Sequence, residues 1–143
     1  MKITQISVFL ENRPGRLSAL AHSLATAGVN LSTLMLSDNG EFGLLRLLTP
    51  DVEKAKTTIA AAGYASTTTE VVALEVPDRP GGLATVLAAV EKAGVSVEYM
   101  YAFAERPGTA AIMVFRFDDM DKALHALRAA DIGICQAVKL FER

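Results

Sequence analysis

Apolar and polar residues alternate through Ile6, Val8 and Leu10, which predicts a half-buried strand near the start of the chain. Beyond the turn "ENRPGRL", Leu17, Leu20, Ala21 and Leu24 recur at helical spacing, and Gly28 is a natural stop. The segments "VNLSTLMLS" and "FGLLRLLT" read as two strands joined around Asp38-Asn39-Gly40, a strong hairpin signal. Thr49-Pro50-Asp51 then opens a second helix, because Pro is tolerated in a first turn and an acid suits the positive helix end.

The same series of elements occurs twice. An offset of 66 positions places Arg13, Pro14, Gly15 and Leu17 on Arg79, Pro80, Gly81 and Leu83, and "AGVN" on "AGVS". Ile6, Val8 and Leu10 fall on Val72, Leu74 and Val76. Past the hairpin the offset becomes 68, so that "LTPDVEKAKTTIAAAG" matches "RFDDMDKALHALRAAD". The two extra residues fall in a connecting loop, where insertions cost least. Glu105-Arg106-Pro107-Gly108 repeats the turn letters with no helix following, and reads as a loop between strands. The second copy carries helical stripes at Leu83, Val86, Leu87 and Val90, and at Met120, Ala123, Leu124 and Leu127. A last strand, "ICQAVKLF", is expected to close it.

The fold class is therefore α+β: two ferredoxin-like βαββαβ units in tandem, with antiparallel sheets and helices on one face. The expected domains are residues 1–70 and 71–143. The last strand of copy one (Ser66–Leu74) and the first of copy two (Thr69–Pro77) overlap, with no Gly or Pro between Ala65 and Val76. One long or sharply bent strand, rather than a flexible linker, is expected there. "LLRLL" and "AIMVF" are nearly continuous apolar runs, so the second sheet face should also be covered. Face-to-face packing of two chains, a homodimer, would satisfy that.

Composition narrows the function classes. Half the residues are apolar, the net charge is −2 and no basic stripe is present, so nothing favours nucleic acid or an anionic membrane as partner. No apolar run reaches the ~18 residues of a membrane span, and the first residues do not form a secretory signal. A cytoplasmic protein is expected. Cys135 stands alone and reads as a small buried hydrophobe in a strand; no Cys/His cluster suggests a metal, and no cofactor is expected. His22 and His125 lie in helical patterns without a nucleophile or carboxylate beside them, and no phosphate-binding glycine motif occurs, so no enzyme activity is expected.

The repeated turn carries the candidate chemistry. Gly15 and Gly81 have no Cβ, so a ligand could approach the backbone closely. The first N–H groups of the following helix lack intrahelical partners and suit a carboxylate. Asn12 offers donor and acceptor, and Asp78 an anionic acceptor for an ammonium group. Such a set fits a zwitterion. The same residues also allow a purely structural turn, in which Asn12 and Asp78 cap backbone amides.

Strand, "NRPG"/"DRPG" turn, apolar helix and "AGVN"/"AGVS" together resemble the ACT domain, a small regulatory module that senses amino acids. The resemblance covers essentially the whole chain, as a tandem pair. It implies an allosteric, amino-acid-binding regulatory protein that signals to a separate partner such as a metabolic enzyme. In the amino-acid-responsive ACT regions of phosphoglycerate dehydrogenases, an Asn before the turn and an Asn starting the next strand contact the effector. Those positions match Asn12 and Asn30 in copy one, and Asp78 and Ser96 in copy two. The resemblance thus implies two composite clefts, Asn12 and Gly15 facing Ser96, and Asp78 and Gly81 facing Asn30. The candidate ligand-binding residues are Asn12, Arg13, Pro14, Gly15, Arg16, Leu17 and Asn30, with Asp78, Pro80, Gly81, Gly82, Leu83 and Ser96. Within this set the Arg13 guanidinium, like that of Arg79, is expected to be solvated or paired with a Glu. An effector-binding His of those enzymes corresponds to Leu10, which implies a more apolar effector side chain. The alternative is a ligand-free protein–protein interaction module.

Overall fold

A computed structural model describes residues 2–38, 40–106 and 110–141. The elements run β1 (Ile3–Glu11), α1 (Arg16–Thr26), β2 (Thr33–Asp38), β3 (Phe42–Leu48), α2 (Val52–Ala61), β4 (Ser66–Pro77), α3 (Gly82–Lys92), β5 (Val97–Arg106), β6 (Ala110–Phe117), α4 (Met120–Ala129), β7 (Ile134–Cys135) and α5 (Ala137–Phe141). Two compact units emerge: Thr4–Thr69, and Met1–Ile3 with Glu70–Arg143. The boundary between these units falls within β4, a single strand of 12 residues.

In the Thr4–Thr69 unit the strand order is β2-β3-β1-β4, and β1 and β2 each run antiparallel to β3. Ile6 and Val8 pair with Leu47 and Leu45, so β1 and β3 bury the same face. These four side chains, with Leu10, meet Leu20 and Leu24 of α1 and Ala55 and Ile59 of α2 in one core. Leu17, expected in the buried stripe, is exposed beside the turn. Pro50 precedes the α2 cap rather than entering the first turn. Asp51 occupies the N-cap without a side-chain bond, and its N–H instead donates to Thr49 Oγ1 at 3.2 Å. Asn39 lies outside the described residues.

In the Glu70–Arg143 unit, Val72–Pro77 of β4 pairs antiparallel with β6, β5 lies beyond β6, and β7 pairs with β4 at Ala73 and Leu74. Val72, Leu74, Val76, Phe115 and Phe117 pack under Val86 and Val90 of α3 and Leu124 and Leu127 of α4. Asp119 caps α4 by accepting from Lys122 N at 3.0 Å. Lys2 pairs with Asp121 at 2.9 Å and Glu70 at 3.6 Å, and the Asp121 carboxylate holds its ammonium above the ordinary lysine pKa.

One predicted element differs. "ICQAVKLF" forms a strand only at Ile134–Cys135, then turns at Gln136 into α5. Ala137, Leu140 and Phe141 repeat at helical spacing, which in so short a run competes with strand alternation. Leu140 is buried, and Phe141 meets Phe103 edge-on at 6.4 Å. Leu140 also closes a small cavity with Ile112, so α5 packs against the sheet face away from α3 and α4. Ile112, on that second face, is thereby covered within the chain, and Val114 on the same face is buried as well. Cys135 is half-buried. The second face of the other unit instead leaves Phe9 and Phe42 about half exposed, at 47% and 50%.

Candidate functional site

The two turns are built alike. Arg13 N–H donates to Glu11 O at 2.9 Å, Arg16 N–H to Arg13 O at 3.3 Å, and Ala19 N–H to Gly15 O at 2.9 Å. The second turn repeats these bonds as Arg79 to Pro77 at 2.9 Å, Gly82 to Arg79 at 3.0 Å, and Thr85 to Gly81 at 3.0 Å. Gly15 and Gly81 each sit at φ 87 in the left-handed region, and neither helix has a side-chain cap. That conformation favours glycine, and a Cβ at either position would meet nothing within 4 Å. Among the described residues, the amides of Leu17 and Ser18, and of Leu83 and Ala84, donate to no protein acceptor. Each turn therefore presents bare N–H groups at the positive end of an 11-residue helix.

The side chains of the candidate set differ between the turns. Asn12 donates from Nδ2 to Gly40 O at 3.3 Å and its N–H bonds Glu41 O at 3.0 Å, tying the first turn to the β2–β3 connection. No described residue donates to its Oδ1, which can act as an acceptor. Arg13 pairs with Glu11 at 2.9 Å, and Arg16 approaches the same carboxylate at 3.7 Å. Pro14 and Pro80 are exposed, as are Asp78 and Arg79. Gly82 is buried, and a Cβ there would collide with the Pro77 carbonyl, so it serves close backbone approach. Leu83 packs against the hydrophobic core. Asn30 is exposed in the loop before β2, which begins only at Thr33. Ser96 N–H donates to Asp118 Oδ1 at 2.9 Å, and Asp118 N–H returns to Ser96 O at 3.1 Å. Asn12 and Ser96 lie in different units, as do Asp78 and Asn30.

Gly40 and Glu41 were not among the candidates, although they position Asn12; a hairpin loop's carbonyls leave no residue-type signal. His22 and His125 are exposed; His22 Nδ1 lies 2.8 Å from Ser18 O and 3.4 Å from Ser18 Oγ, so a hydroxyl one helical turn away does stand beside His22, contrary to the sequence reading. Among the described residues no group of three or more His, Cys, Asp or Glu could hold a metal ion, and no helix is long and apolar enough to cross a membrane.

Residues 1–140 match the family model described as the ACT domain pair. Protein BT0572 from Bacteroides thetaiotaomicron is similar at 36% identity with a TM-score of 0.92, over 100% of this chain and 98% of that one. The regulatory subunit of aspartate kinase from Thermus thermophilus, in its ligand-free form, shares the fold at 16% identity with a TM-score of 0.62, over 89% and 91%. That from Thermus flavus does so at 16% and 0.60, over 90% and 92%. No curated protein matches. With two copies of one βαββαβ unit, each opened by the same glycine turn, and a family match over nearly its whole length, the chain belongs to the ACT domain pair family.

Proposed function

We propose that the protein is a regulatory amino-acid sensor without catalytic activity of its own, in which the turns at Asn12–Leu17 and Asp78–Leu83 receive a free amino acid. The observation that carries this reading is the pair of unpartnered amides at each helix start, beside a glycine that leaves the approach open. They suit the α-carboxylate. Asn12 Oδ1 in the first turn and the Asp78 carboxylate in the second suit the α-ammonium. Likeness in fold to regulatory subunits of aspartate kinase supports a regulatory role, with the signal passing to a separate enzyme. A cytoplasmic setting fits a chain with one cysteine.

A homodimer belongs to the same proposal. Five large apolar side chains are exposed among the described residues, Phe9, Leu17, Leu34, Leu36 and Phe42, and all lie in the Thr4–Thr69 unit. Leu36→Lys is expected to yield monomers in sedimentation equilibrium; a parent that is already monomeric removes this part of the reading. These side chains also favour a second reading, a ligand-free interaction module. A thermal-shift panel of the free amino acids separates the two. At a hundred times its dissociation constant a ligand stabilises by about 2.7 kcal/mol, or about 5–10 °C for a chain of this size. No shift with any of them at millimolar concentration rejects the sensor.

A further inference from the structure

Within the Glu70–Arg143 unit, the start of α3 and the loop after α4 border a cavity of about 410 Å3. Val86 and Ile132 supply apolar wall and Gly82 brings backbone close; Glu75 and Asp131 also line it, the Glu75 carboxylate lying beside Gly133 at the rim it shares with the cavity under Leu140. Thr85 also lines it, and because its hydroxyl donates to Gly81 O at 3.0 Å it offers the cavity only acceptor lone pairs. Among the described lining residues none is a lysine, arginine or histidine. Neither carboxylate has an ion-pair or hydrogen-bond partner among the described residues.

The duplication provides an internal control for this place. Phe9 N–H donates to Ala65 O at 3.0 Å, and the matched bond runs from Glu75 N–H to Gly133 O at 2.9 Å. Tyr64 N–H donates to Ile59 O, and Ile132 N–H to Leu127 O. Glu11 lies opposite Phe42 as Pro77 lies opposite Ala110. At these matched places the first unit carries Phe9, Arg16, Phe42 and Tyr64, and the second Glu75, Gly82, Ala110 and Ile132. Every member of the second set is smaller. Tyr64 spans from its loop to the helix start, donating its hydroxyl to Arg16 O at 3.3 Å. Ile132 has neither the length nor the hydroxyl to do so. Asp131, at φ 57, takes the place held in the first unit by Gly63 at φ 87, so a second carboxylate stands where that unit has no side chain.

The geometry points to a second binding site, in this cavity, for a small organic ammonium ion with an aliphatic body. Two unpaired carboxylates and a hydroxyl acceptor call for a cation rich in donors. Apolar walls and only two carboxylates do not suit a hard metal ion, which prefers a full oxygen shell. The cavity shares Gly82 with the second turn, but the bare amides of Leu83 and Ala84 do not line it, and the proposal stands independently of the amino-acid reading. The ammonium could come from a free diamine or from the side chain of a cationic amino acid.

The test is an amide NMR titration of the full chain with putrescine, L-lysine, and the neutral-chain analogue L-norleucine. Putrescine or lysine is expected to shift the amides of Glu75, Asp131 and Ile132, and norleucine to leave them unmoved. Glu75→Gln and Asp131→Asn, both at exposed positions, should each weaken binding by about tenfold. Ile132→Tyr should abolish it by filling the cavity with a larger side chain, as Tyr64 spans the matched place in the first unit. Putrescine binding as tightly as lysine or tighter assigns the site to free amines; lysine binding more tightly assigns it to the amino acid. The proposal is overturned if neither amine shifts those amides at millimolar concentration, lysine perturbing only the turns included, or if both charge-removing variants bind as the parent does.

Discussion

Gly81 and Gly82 are neighbours with opposite demands, and exchanging each for alanine separates them. Gly81→Ala meets open space, so its cost is confined to the left-handed backbone at φ 87 and ψ −8, about 1–2 kcal/mol. Gly82→Ala pays no such conformational cost but drives a Cβ into the carbonyl of Pro77. Relief requires the β4–α3 connection to move. That overpacking costs about 1–3 kcal/mol, and it strains the Arg79–Pro77 and Gly82–Arg79 bonds, now 2.9 and 3.0 Å and worth about 1 kcal/mol each. A total of about 2–5 kcal/mol follows, roughly twice the loss at Gly81. The first unit seats Arg16 at the matched position, where the corresponding bond is longer at 3.3 Å. The demand for glycine therefore arises from the second unit's tighter turn and not from the turn motif itself. Urea unfolding gives the two losses, with hydrogen exchange assigning them to the Glu70–Arg143 unit. A Gly82→Ala protein at least as stable as Gly81→Ala would refute the close-approach reasoning.

In the first turn, Asn12→Ala should weaken amino-acid binding by about 1–3 kcal/mol in calorimetry, and Gly15→Val should block it by placing methyl groups before the bare amides; parent-like binding in both variants would move the site elsewhere. Leu140→Ala removes the buried anchor of α5 and should cost about 2–5 kcal/mol, with faster exchange at Ile112 and Val114 but not at Val72 or Phe117; uniform loss across the core would show that α5 is not the cover of that face.

Much of the architecture was legible because it is written in short-range patterns. Ile6, Val8 and Leu10 alternate, Leu20 and Leu24 repeat at helical spacing, and two copies of one pattern reinforce each other. The overlap at Thr69–Leu74 requires a long strand shared by the two copies, and β4 is that strand. Legibility failed where two periods coincide. Ala137–Phe141 is apolar in a way that serves either a strand or a helical turn, and Leu140 settles as helix because it buries beside Ile112.

By itself, then, the sequence determined the βαββαβ order, the duplicated turn and, Leu17 apart, the stripes that line each core, since these follow from periodicity and from the few residue types that tolerate a turn. Tertiary structure alone decided which turn groups are already engaged: Asn12 by Gly40, Arg13 by Glu11, and Gly82 by Pro77. It also decided that Tyr64 reaches the Arg16 carbonyl in one unit whereas the smaller Ile132 borders a cavity in the other. Hydrogen-bond partners and voids depend on atoms brought together from distant parts of the chain, and no local pattern encodes the distance between them.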